Sequence, residues 1–188
     1  MCGIVGYIGK KNAAPFLMDG LRALEYRGYD SAGIYLSGKG VVKRAGKVEK
    51  LADALPEEFK ATAGIAHTRW ATHGPPTEKN AHPHTDAAQT VWIVHNGIVE
   101  NHAELRDALV SEGVAFSSDT DTEVLAQLIG KYHLQGTSLE KAVSRALKDV
   151  RGTYGLAVMA EREPDKIVVA RLGSPLLLGI GSREYYIA

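Results

Sequence analysis

Cysteine occurs once in these 188 residues, at position 2. A single thiol excludes an internal disulfide framework and is compatible with a reducing compartment. An excess of either charge is also missing, because Lys+Arg 22 cancels Asp+Glu 22. That balance gives no global sign of a nucleic-acid or anionic-membrane partner, so neither is expected. Long apolar runs are absent too. The opening stretch from Ile4 to Ile8 is too short to span a bilayer and lacks a preceding basic region. No repeat, low-complexity segment or linker divides the chain. Hydrophobic residues at 45% and charged residues at 23% are ordinary globular values. One cytoplasmic domain with a real core, needing neither metal nor disulfide, is the expectation.

What the chain has is an unusual beginning, Met1-Cys2-Gly3-Ile4-Val5-Gly6. Once Met1 is removed, Cys2 carries a thiol and a free α-amine on one residue. An α-amino group titrates near ~8 and a thiol near ~8.5, so both exchange protons close to neutral pH. The amine can take the thiol proton during attack and return one to a leaving group. The plainer alternative is a small buried hydrophobe in an N-terminal strand.

Apolar periodicity divides the rest. Gly3 to Ile8 reads as a buried strand, and Leu17, Leu21 and Leu24 place a helix over 14–26. Ala32 to Leu36 and Val41 to Arg44 read as a hairpin around Gly38-Lys39-Gly40, followed by a short helix from Val48 to Leu55. Ala63 to Thr68 is a strand that runs into the irregular segment 69–76. Val91 to His95 is a strand expected to end at Asn96-Gly97, a turn-forming pair. Asn101 with Glu104, and Thr137 with Glu140, carry cap patterns for helices, and Asp121 or Thr122 is the expected cap of another. Strands over 154–159, 167–171, 175–180 and from 185 complete the chain. It stops inside an apolar strand, Tyr185 to Ala188, so a fragment of a longer protein is expected. Grouped, antiparallel-looking strands with helices between them predict an α+β fold.

Four further stretches stand out: Arg27-Gly28-Tyr29-Asp30-Ser31-Ala32-Gly33, Ala66-His67-Thr68-Arg69-Trp70-Ala71-Thr72-His73-Gly74, Val94-His95-Asn96-Gly97-Ile98 and Thr120-Asp121-Thr122-Glu123. Together with the Cys2 start they resemble the class II glutamine amidotransferases, a group of N-terminal-nucleophile hydrolases. Within that class the middle motifs look like the sugar-aminating branch, the glucosamine-6-phosphate synthases. The resemblance covers residues 2–188 and implies one glutaminase domain, C-terminally shortened, folded as a four-layer αββα sandwich of two mainly antiparallel sheets. It implies hydrolysis of L-glutamine to glutamate and ammonia through a Cys2 γ-glutamyl thioester, without a cofactor. It further implies delivery of that ammonia to fructose 6-phosphate, through a sugar isomerase domain not in this sequence, in a protein that is a homodimer.

The residues can carry that chemistry. The Asn96 side-chain amide and the Gly97 N–H, adjacent in sequence, can aim two donors at one oxyanion. A plain hairpin turn is the alternative for the pair. Free glutamine carries an α-carboxylate and an α-ammonium, so its site needs a fixed cation and a fixed anion. Arg69 can hold the first bidentately and Asp121 can pair with the second. Asp121 as a simple helix cap is the other reading. The resemblance adds Thr72 and His73 to the substrate site, places Trp70 on a closing loop, and makes Arg27 a support for the loop around Cys2. A solvated charge at a helix end is the alternative for Arg27. Six of the seven histidines fall between His67 and His102, but their spacing completes no zinc set, so no metal is expected. A glutamine-binding module without turnover, or a hydrolase of another amide, are the competing functional readings.

Overall fold

The computed structural model describes residues 2–70 and 74–188, with Arg27 described in its backbone alone. Chain order is β1 (Gly3–Ile8), α1 (Ala13–Leu24), β2 (Ser31–Leu36), β3 (Gly40–Ala45), α2 (Val48–Ala54), β4 (Ala63–Arg69), β5 (His84–Thr85) and β6 (Val91–Val99). It continues with α3 (His102–Ser111), α4 (Asp121–Leu134), α5 (Leu139–Ala146), β7 (Gly152–Ala160), β8 (Glu163–Leu172), β9 (Leu178–Ile180) and β10 (Tyr185–Ile187). The strands make a six-stranded sheet ordered β3-β2-β4-β1-β10-β9 and a four-stranded sheet ordered β5-β6-β7-β8. Every ladder between named strands is antiparallel.

Side-chain alternation explains how the layers stack. Period-2 strands buried on both faces offer one apolar set to each neighbour. Ile4, Tyr35, Ile65, Trp92, Val94, Ala157 and Met159 form a core between the two sheets. The intervening residues face outward. Tyr7, Ile34, Leu36 and Ala66 pack under α1 and α2 with Leu17, Leu21 and Leu51. Ile93, Leu156 and Val158 pack under α3, α4 and α5 with Leu109, Val124, Leu125, Leu128, Ile129 and Val143. The result is a four-layer αββα sandwich. Each fully buried large apolar side chain in these interfaces contributes roughly 1.5–3 kcal/mol relative to exposure.

The same parity decides which polar residues look inward. Cys2 shares its face with Ile4, His67 with Ala63 and Ile65, and Asn96 with Trp92 and Val94, so all three point between the sheets. Gly33 lies on that face as well, where a Cβ would come within 2.1 Å of the His82 carbonyl oxygen. Only glycine lets the His82 segment lie so close to β2.

Several local expectations are corrected. Strand β6 does not end at Asn96-Gly97 but pairs with β7 through Val99, with Asn96 opposite Gly155 and Gly97 opposite Tyr154. Gly97 keeps its place in the ladder at φ 142, and a Cβ there would lie 2.0 Å from the Thr153 carbonyl oxygen. Neither Asp121 nor Thr122 caps α4: Thr120 does, its Oγ1 accepting from the Glu123 N–H at 3.3 Å. Asn101 stands at the N-cap of α3 but makes no cap hydrogen bond; it bridges to the connection between α5 and β7, donating to Asp149 O and accepting from Arg151 N–H. Ser138, not Thr137, precedes α5, and the Thr137 hydroxyl donates to Tyr132 O at 2.7 Å. The expected cap position holds for Asn101, and those of α4 and α5 fall on Thr120 and Ser138 instead.

Candidate active site

The start of β1, the end of β4, the end of β6 and the N-terminus of α4 converge at one end of the sandwich. They enclose a cleft of about 520 Å³ lined by Cys2, Arg69, Trp70, Asn96, Gly97 and Asp121 among others. That volume lies in the ordinary range for small-molecule sites, about 300–1,000 Å³.

Cys2 is held by the β1–β4 pairing that sets Gly3 opposite Thr68. Its Sγ accepts from the Trp70 N–H at 3.1 Å and lies 3.5 Å from Trp70 O. Burial pushes the thiol pKa upward, and the Trp70 N–H only partly offsets that by favouring thiolate. Burial therefore favours the thiol over the thiolate.

Asn96 reaches across the inter-sheet layer. Its Nδ2 donates to the Cys2 carbonyl at 2.9 Å, and its Oδ1 lies 2.9 Å from His67 Nε2. Gly97 follows it on the cleft wall. Asp121 occupies the first position of α4, is 6% exposed, and accepts the Val99 N–H through Oδ2 at 2.9 Å. A carboxylate there is favoured by the helix N-terminus.

Arg69 is 3% exposed and donates to Gly74 O at 3.2 Å and Pro75 O at 3.4 Å. Pro75 O also accepts from Asn80 Nδ2 at 3.0 Å. Asn80 in turn accepts the Asp119 N–H at 2.9 Å, two residues before Asp121. The polar residue that anchors the base of the loop thus touches the segments carrying both charged side chains. Trp70 sits at the rim with half its surface exposed. Thr72 and His73 lie outside the described residues, as does the side chain of Arg27, whose backbone closes a 3-10 turn at 25–27.

Sequence reasoning gave no role to the histidines behind this wall. His67, His82, His84 and His95 are all buried; the His67 and His82 ring centroids are 4.1 Å apart, and those of His82 and His84 4.7 Å. Thr122 Oγ1 lies 2.9 Å from both His82 Nε2 and His95 Nδ1, and Thr120 Oγ1 is 3.1 Å from His84 Nε2. Burial drives all four toward the neutral form, His67 to about 3. Their positions in the sequence were visible; their convergence needed the two sheets to be stacked. Among the described residues no three His, Cys, Asp or Glu side chains gather as a metal site would require. Among them, too, no helix is long and apolar enough to cross a membrane.

A cysteine at the head of β1, at one end of the inter-sheet layer of an αββα sandwich, is the arrangement of an N-terminal-nucleophile-hydrolase-like fold. The fold agrees with a solved glutamine phosphoribosylpyrophosphate amidotransferase from B. subtilis at a TM-score of 0.83, with 25% identity, over 100% of this chain and 41% of that one. A glutamine amidotransferase domain family model matches residues 67–183, and the chain belongs to that family. It is 51% identical to a glutamine–fructose-6-phosphate aminotransferase (isomerizing) of Chlorobaculum tepidum, over the whole chain and 32% of the relative. It is 53% identical to a protein of the same name from Clostridium tetani, over the whole chain and 31% of that relative. The chain thus spans about a third of the length of these curated relatives.

Proposed function

We propose that residues 2–188 act as a glutaminase domain that releases ammonia for the amination of a sugar phosphate. With Met1 removed, the Cys2 amine takes the thiol proton and Sγ attacks the glutamine side-chain carbonyl. Negative charge forms on that oxygen and is met by the Asn96 Nδ2–H and the Gly97 N–H. The α-ammonium of Cys2 then protonates the departing nitrogen. Ammonia leaves, and a γ-glutamyl thioester remains on Cys2. Water adds to the thioester with the same amine as base; glutamate departs and the thiol is restored.

Arg69 holds the substrate carboxylate and Asp121 the ammonium. Trp70 belongs to the surrounding wall, and the family resemblance assigns Thr72 and His73 to substrate binding and Arg27 to support of the segment near Cys2. The observation that carries this reading is the meeting of Cys2, Asn96, Gly97, Arg69 and Asp121 on one cleft. These are the five groups that hydrolysis of a free amino acid amide requires. In the longer relatives most of the length lies beyond the matched part. We assign to such a partner, a sugar isomerase domain, the use of ammonia to convert fructose 6-phosphate into glucosamine 6-phosphate. A cytoplasmic homodimer is the corresponding assembly.

The test is release of glutamate and ammonia from glutamine by protein whose N-terminal residue is identified by intact mass. Turnover by the Cys2-terminated form, lost in Cys2→Ala, supports the reading. Stoichiometric labelling of Cys2 without any turnover would replace it with a binding module.

A further inference from the structure

His67 stands immediately behind Asn96 on β4 and is fully buried. Its Nε2 is 2.9 Å from Asn96 Oδ1, while the other end of the same amide, Nδ2, donates to Cys2 O at 2.9 Å. This orientation of the amide is the one chemistry allows. Turned over, Oδ1 would face the Cys2 carbonyl oxygen, two acceptors in contact. Oδ1 therefore faces the imidazole, and an acceptor in that place requires a proton on Nε2. The ring cannot swing away, because it packs on His82, whose own Nε2 is tied to Thr122.

We propose that His67 is a positioning residue for amide cleavage: its Nε2–H fixes Asn96 with the NH2 edge turned toward Cys2. The inference rests on the assignment of Asn96 as an oxyanion donor. The terminal torsion of asparagine is broad and nearly two-fold, so an unanchored side chain presents oxygen as readily as nitrogen. An oxygen edge would repel the developing oxyanion. A fixed nitrogen edge requires no reorganisation when charge forms, and such preorganisation is where oxyanion donors derive their effect.

The test uses the Met1-free chain and four variants: His67→Phe, His67→Gln, Asn96→Ala and the double His67→Phe/Asn96→Ala. Phenylalanine keeps a ring against His82 but donates nothing; glutamine returns an N–H close to the Nε2 position. His67→Phe is expected to lower kcat for glutamine by about 10–10²-fold, with KM changed less than about threefold. His67→Gln is expected to recover most of kcat. Alkylation of Cys2 by iodoacetamide needs no oxyanion donor, so its rate stays at the parent value in both. The double variant is expected to be no slower than Asn96→Ala alone, since a donor already removed cannot be misplaced. Parent kcat in His67→Phe, or a multiplicative loss in the double, overturns the proposal. Unchanged kcat in Asn96→Ala instead overturns the oxyanion assignment beneath it. If His67→Phe does not fold, His67→Asn replaces it. Its shorter amide stops near the Nδ1 position, so a kcat loss supports the proposal and parent kcat overturns it.

Discussion

Asn96 Nδ2 donates to the carbonyl oxygen of Cys2 at 2.9 Å, across 94 positions of sequence. The bond joins the four-stranded sheet to the first residue ahead of the six-stranded one. It sets the Asn96 amide beside Cys2 before any substrate arrives. Replacing Asn96 by Ala removes that donor and leaves the Cys2 carbonyl without it. Loss of one oxyanion donor typically costs about 10²–10³ in kcat. Asn96→Ala is expected to fall in that range with KM for glutamine little changed. Steady-state kinetics decide the matter, and a rise in KM at constant kcat would make Asn96 a binding residue.

Burial raises the pKa of the Cys2 thiol, so proton removal must be assisted. A peptide-bonded nitrogen is not basic, and only removal of Met1 supplies the amine. Protein that retains Met1 is expected to be inactive. Cys2→Ala is expected to be inactive and Cys2→Ser severely impaired, because an alkoxide is far harder to form than a thiolate. Equal turnover by the Met1-retaining and Met1-free forms would sink the amine as base.

Asp121 has two tasks in this reading. It accepts the Val99 N–H now, and it pairs with the substrate ammonium in turnover. Asp121→Ala is expected to raise KM for glutamine by tens-fold to thousands-fold, the roughly 2–5 kcal/mol of a buried charged partner lost. It is also expected to lower stability by about 1–3 kcal/mol through the unsatisfied Val99 N–H. Asp121→Asn separates the two, since its carbonyl oxygen keeps an acceptor for Val99 while the negative charge is gone. Chemical denaturation and kinetics on both variants provide the comparison. If Asp121→Ala still discriminates against the des-amino analogue as strongly as the parent, the ammonium is held elsewhere.

Four buried neutral histidines make a pH prediction with a definite sign. Their unfolded pKa is near 6.5, and burial depresses the folded values, to about 3 for His67. A depressed folded value means full stability above the unfolded pKa and progressive loss as pH falls below it. Between the histidine range and the carboxylate range the unfolded chain binds protons that the fold refuses. Each such proton steepens the loss by about 1.4 kcal/mol per pH unit. Urea midpoints are expected to hold from about pH 8 to 7 and to drop clearly by about pH 5. His67→Phe is expected to flatten the drop by about one proton's worth. A profile without slope in that window would show that the rings gain charge in place.

How much of this was legible before folding follows from the range over which each signal acts. Cys2 announced itself because its chemistry depends on position in the chain alone. The strands β1, β2 and β4 and the helices α1 and α4 followed from side-chain period, a property of neighbouring residues. The alternation along β4 and β6 even contained the parity that turns His67 and Asn96 the same way. What it did not contain was which faces would meet. The β5 pair was too short to register, and β6 outlasted its turn signal because Gly97 can stay in the ladder at positive φ. The N-cap positions of α4 and α5 fell on Thr120 and Ser138, next to the residues the local pattern favoured. Residue types in order were enough to single out Cys2, Asn96, Arg69 and Asp121, which the fold brings to one cleft. Only stacking the two sheets brought His67 against Asn96 and Asn96 against Cys2, since hydrogen bonds of 2.9 Å between residues 29 and 94 positions apart exist only in the packed molecule.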